Sequence, residues 1–146
     1  MPGTVIVDDG GVRYSQIISA GPHVLQGDEP VDVGGSDTGP NPYELLLAAL
    51  GSCASITVRM YADRKQWPLA GVHIELSYGA PHADDSAACD TEPRMITGIE
   101  MEVSFAGDLS DQQRERLLEI ANRCPVHRTL TSRIQIRGTL AETAHA

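Results

Sequence analysis

Three cysteines, Cys53, Cys89 and Cys124, are the residues of this 146-residue chain best suited to chemistry. A reduced thiol can attack an electrophile, ligate a soft metal or pair with a second thiol. Cys53 stands among small residues, Gly51-Ser52-Cys53-Ala54-Ser55, which leave room for a ligand or another backbone to approach the sulfur. The plain alternative is a small buried hydrophobe. Cys124 precedes Pro125 at a break between two helical patterns. Unpaired backbone N–H groups and the helix dipole there favour a thiolate, and Arg123, His127 and Arg128 add positive potential. Filling a helix junction is its competing role. Cys89 lies beside Asp84, Asp85 and Asp90, which raise a thiol pKa, so it is expected to be incidental.

Cys53 and Cys124 form a redox pair if their helices touch, which spacing alone leaves open. Metal chemistry has less support. The histidines His23, His73, His82, His127 and His145 fall singly, and Cys124 with His127 lacks a second pair at zinc-site spacing. No metal or other cofactor is expected. Ser52-Cys53 lacks the nucleophile elbow of hydrolases, and GGSDTGP has neither Walker lysine nor dinucleotide-site glycine spacing.

These residues need elements to hold them. Asn41 to Tyr61 is the longest helical pattern: Asn41 suits the N-cap, Pro42 the first turn, and Glu44 completes a capping box. Apolar or small residues occupy every face, so this helix is buried. It frays through Gln66, and Pro68 stops it. Ahead of it, Thr4 to Val7, Val12 to Ala20 and His23 to Gln26 read as an antiparallel meander, and Gly27 to Pro40 as a functional or mobile loop. After it, Val72 to Tyr78 and Met95 to Phe105 alternate as paired strands around a polar loop, Gly79 to Glu92. Ser110 opens a second helix that breaks at Cys124-Pro125, and a short helix is expected over Val126 to Thr131. Arg133 to Leu140 alternates as a last strand. The fold class is α+β with segregated antiparallel hairpins, in one domain over residues 1–146.

With 20 acidic and 11 basic residues, a net charge of −9 argues against nucleic acid and anionic membrane as partners. The N-terminus lacks a signal-peptide pattern and no apolar run is expected to span a bilayer, so a cytoplasmic location with reduced thiols is expected.

GPNPYELLLAALGSCASITVRMYA resembles the signature helix of the OsmC/Ohr family of organic hydroperoxide resistance proteins, and ANRCPVHRTL resembles its second cysteine segment. The order of elements matches as well, so the resemblance covers nearly the whole chain. It implies an intertwined homodimer in which curved antiparallel sheets surround two central helices, with sites at the subunit interface. It also implies thiol-based reduction of organic hydroperoxides, with hydrogen peroxide as a further substrate. By motif position Cys53 is then the peroxidatic thiolate and Cys124 the resolving thiol, and an external dithiol restores both.

The chain departs from the family at the activating pair. The family's peroxidases place glutamate directly after Asn-Pro and an arginine in the preceding loop. Here Tyr43 follows Pro42, and Gly27 to Pro40 holds no arginine. Glu44 is displaced by one position, about 180° around the helix and roughly 13 Å from Cys53, so capping is its expected role rather than activation. Arg13, expected on an early strand, could supply the missing charge, as could Arg59 or Arg128. Two rival functions follow from the altered pair: non-reactive binding of a small apolar ligand between helices, and a redox sensor acting through the dimer interface.

Overall fold

The computed structural model describes residues 3–79 and 95–142. Cys89, His82 and His145 lie outside them. The elements run β1 (Val5–Asp9), β2 (Gln16–Ala20), β3 (His23–Gly27), a 3-10 turn (Val31–Val33), α1 (Pro42–Lys65), β4 (Leu69–Tyr78), β5 (Ile99–Gly107), α2 (Asp111–Ala121) and α3 (Pro125–Leu130). This is the expected α+β class with antiparallel sheets, in two compact units: Met1–Gly51 with Glu75–Glu102, and Ser52–Ile74 with Val103–Ala146.

In the first unit β1, β2 and β3 form an antiparallel meander, with Val5 opposite Ala20 and Gln16 opposite Gly27. β2 is shorter than the expected Val12 to Ala20. Gly10 N–H bonds Ser15 C=O at 2.8 Å, Ser15 N–H bonds Val12 C=O at 2.9 Å, and Arg13 adopts a left-handed φ of 50°. Those bonds consume residues 10–15 in a turn, so Arg13 stands on a turn rather than on a strand.

The segment from Asp28 to Pro40 is ordered around one carboxylate. Asp28 is buried and accepts hydrogen bonds from the backbone N–H groups of Glu29, Ser36 and Thr38 and from the Thr38 hydroxyl at 2.7 Å. The Thr38 hydroxyl leads these donors in holding the Asp28 carboxyl below its ordinary value, against the opposing effect of burial. A buried charge with four donors suits a fixed loop. The loop and the start of α1 border a cavity of about 450 Å³ lined mainly by apolar groups, with Tyr14, Ile18, Pro40, Pro42 and Leu45 among them.

α1 begins as its capping box requires. Asn41 Oδ1 accepts from Glu44 N–H at 2.9 Å, and Glu44 Oε2 accepts from Asn41 N–H at 2.8 Å. Its first turns carry the core of this unit, Leu47 and Leu50, and the Tyr43 and Tyr78 rings lie 5.4 Å apart. Gly51 lets β4 come close: a Cβ there would stand 2.7 Å from Leu76 Cδ1. α1 runs 24 residues, further than the expected Tyr61, and by length and composition alone it could cross a membrane, which corrects the expectation that no apolar run reaches that length. The core helix of a globular protein meets the same criteria.

In the second unit Ala54, Val58 and Ala62 recur every fourth residue along α1 and are fully buried. Leu117 and Ala121 on α2 are equally buried. Ser110 and Gln113 form a reciprocal capping box that opens α2. β4 and β5 pair with each other and alternate half-buried with exposed positions, as expected. The last strand is not found: residues 133–140 carry no regular secondary structure, and Ile136 and Leu140 are over 90% exposed.

Candidate active site

The site is built from the middle of α1 and the start of α3, both within the second unit. Cys53 lies between the buried Ala54 and the exposed Ser52, and is itself half-buried. Cys124 is fully buried. Pro125 occupies the first turn of α3 and cannot continue α2, so the chain turns at Cys124. Cys124 becomes the N-cap of α3, its Sγ accepting the backbone N–H of His127 at 3.4 Å.

Two thiols 71 positions apart in sequence fall in the same compact unit. Both are free, and Cys53 is near enough to Cys124 to act on its thiol electrostatically. Burial pushes the Cys124 thiol above its ordinary value, and the Cys53 contact adds to the rise. Backbone N–H groups of His127 and Val126 pull the other way without prevailing. The expected thiolate at Cys124 therefore gives way to a neutral thiol: loss of hydration outweighs the N-cap donors. The arrangement sets a half-buried thiol and a buried one in the same unit, the two groups that a dithiol–disulfide couple needs.

The candidate supporting residues have the following partners. Glu44 is held by the Asn41 cap, in the role expected for it. Arg13 is exposed on the 10–15 turn of the first unit. Arg59 donates to the Leu69 carbonyl at 2.6 Å, and Arg128 is exposed on α3. Among the described residues no group of three or more His, Cys, Asp or Glu is arranged to hold a metal ion.

Sequence reasoning missed a second cluster in this unit, around Tyr61. Arg116 on α2 donates from Nε to the Tyr61 hydroxyl at 3.1 Å, and Arg64, Lys65 and Arg116 lie 5.5–5.8 Å from the ring centroid. Trp67 meets the same ring edge-on at 5.6 Å. The Arg116 hydrogen bond leads in pulling the Tyr61 phenol below its ordinary value. No spacing signal marks two residues 55 positions apart.

The chain matches the pattern of the family described as OsmC-like protein over residues 34–138. No curated protein matches it in sequence. Solved structures match its fold. A Psychrobacter arcticus protein named for osmotic stress induction and detoxification response aligns with a TM-score of 0.73 at 21% identity, covering 88% of each chain. An organic hydroperoxide resistance protein OsmC from Legionella pneumophila aligns at 0.68 with 18% identity over 90% of each chain. An OsmC-like protein from Mycoplasma pneumoniae aligns at 0.67 with 17% identity, covering 88% of this chain and 85% of that one. At these identities the structural likeness speaks for the fold.

Proposed function

The chain belongs to the OsmC family, and on that premise we propose that it is a thiol-dependent reductase of organic hydroperoxides. Family and neighbours support a general role in peroxide resistance or redox chemistry. One observation carries the finer reading: two free thiols lie in one compact unit, Cys53 half-buried and Cys124 buried, and Cys53 acts on the Cys124 thiol.

The Cys53 thiolate attacks the terminal oxygen of the hydroperoxide. An S–O bond forms, the O–O bond breaks, and the alkoxide takes a proton and leaves as the alcohol. Cys53 is then a sulfenic acid. The Cys124 sulfur attacks Cys53 Sγ, closing the disulfide as the sulfenic oxygen departs as water. An external dithiol returns both thiols by two exchange steps. Exposure supports these roles: half-buried Cys53 is the more open to a peroxide, and Cys124 is fully buried. The protein works as a homodimer in the cytoplasm, where dithiols are maintained.

Mass-spectrometric thiol counting after one equivalent of cumene hydroperoxide tests this. The expected result is rapid loss of two thiols with a Cys53–Cys124 cross-link. Cys53→Ser is expected to lose all peroxide turnover, and Cys124→Ser to undergo one oxidation and stop at the sulfenic acid. Full peroxide reduction by Cys53→Ser would overturn the assignment.

A second reading has one observation behind it, the largely apolar cavity at the start of α1. A volume of about 450 Å³ is in the range of small-molecule sites, so this chain could hold an apolar ligand without reacting. Three thiols surviving excess peroxide, together with a co-purifying apolar molecule, would favour that reading.

A further inference from the structure

The protein carries 20 acidic residues against 11 basic ones, yet three of its cations converge on a single ring. The Arg64, Lys65 and Arg116 charges lie 5.7, 5.8 and 5.5 Å from the Tyr61 centroid. Arg116 shares its charge with Glu119 at 2.6 Å, whereas among the described residues no carboxylate pairs with Arg64 or Lys65. Both of these residues are exposed. A helix C-terminus favours cations, which explains their presence in the last turn of α1. The third cation comes from α2, where Arg116 reaches the same ring through its hydrogen bond to the Tyr61 hydroxyl. Three like charges gathered about one ring repel one another, and a negative partner would relieve them.

Its position gives the partner a task. Tyr61 follows Cys53 by eight residues on the same continuous helix, an axial distance of about 12 Å. Cys53 is the only sulfur of the pair open to an incoming thiol, because Cys124 is fully buried. We propose that the Arg64–Lys65–Arg116 cluster around Tyr61 docks the reductant, a protein whose dithiol lies beside an acidic surface. This rests on the disulfide cycle proposed above. The partner thiolate attacks Cys53 Sγ, forming a mixed disulfide and expelling the Cys124 thiolate, which takes up a proton. The partner's second thiolate then attacks its own sulfur in that mixed disulfide and releases Cys53, so the partner leaves as a disulfide and both protein thiols are restored.

The test uses two synthetic peptides, each with a Cys-Gly-Pro-Cys dithiol and a four-glycine spacer, one ending in four glutamates and the other in four lysines. The spacer reaches about 13 Å when extended. Oxidised protein is mixed with each peptide at about 20 mM and about 0.5 M salt, and free thiols are followed with time. Rates are referred to those with dithiothreitol. The glutamate peptide is expected to react at least about tenfold faster than the lysine peptide at low salt. That preference should vanish at high salt and in an Arg64→Glu, Lys65→Glu variant. Equal rates for the two peptides, or a preference that survives in the variant, would overturn the proposal. Protein oxidised with diamide is run in parallel. Failure of cumene hydroperoxide to form the disulfide would then count against the peroxidase reading alone, because the docking test proceeds on the diamide-oxidised form.

Discussion

At Cys124 two effects oppose each other. The N-cap of α3 offers backbone N–H groups that favour a thiolate, and complete burial favours the neutral thiol. Burial prevails, and the proximity of Cys53 reinforces it. The consequence is kinetic. Only the thiolate attacks a sulfenic acid, and Cys124 is mostly protonated near neutrality, so resolution speeds up as pH rises. The rate of Cys53–Cys124 disulfide formation, read by stopped flow after a pulse of hydroperoxide, is expected to rise about tenfold per pH unit. That rise should continue past the ordinary thiol value near 8.5, because the folded-state value is higher. A plateau beginning below pH 8 would show that Cys124 ionises normally and that the N-cap donors dominate after all.

On the scale of single elements, Glu44 separates capping from catalysis. Its carboxylate is committed to the Asn41 N–H at the first turn of α1. Glu44→Ala is expected to lower stability by roughly 0.5–1 kcal/mol in urea unfolding. The single-turnover rate of Cys53 oxidation should stay within about twofold, since a helix places residues nine apart on opposite faces. A large rate loss without a stability loss would make Glu44 an activating group. Elements with local signals were legible before the structure. The capping residues Asn41 and Ser110, the stop-and-start at Pro125, and the alternation of β4 and β5 each depend on neighbours in sequence. β2 was overextended because Val12 and Tyr14 carry strand-like side chains while the bonds from Gly10 to Ser15 fold them into a turn. The placing of Cys53 and Cys124 in one unit, the Asp28 network and the Tyr61 cluster depend on packing that crosses loops and helices. No periodicity encodes them. The residues alone mark Cys53 and Cys124 as a candidate redox pair, the resemblance adds their roles, and neither fixes how closely the two sulfurs approach.

For the whole molecule, the question is what covers the apolar groups that one chain leaves bare. Val5, Ile6 and Val7 on β1 and Val24 and Leu25 on β3 are each more than half exposed, so the meander shows apolar side chains on both faces. Residues 133–140 add Ile134, Ile136 and Leu140 on a segment with strand-like alternation and no ladder bonds. Patches of this kind mark interaction sites, and an unpaired strand-like segment satisfies its backbone by joining a sheet edge. A second copy of the chain offers the same meander and the same segment, and a two-fold interface is one way to cover such groups. We therefore expect a dimer in light scattering at micromolar concentration. An Ile134→Asp, Ile136→Asp variant should shift toward monomer, because two carboxylates would have to be desolvated on pairing. If the unaltered protein is monomeric, or the variant dimerises as tightly, the segment has another role. The thiol chemistry makes a separate readout available. Cys53 and Cys124 belong to one chain, so a dissociated variant that still closes its disulfide would show that the redox pair is intramolecular and that assembly serves to cover the apolar surface.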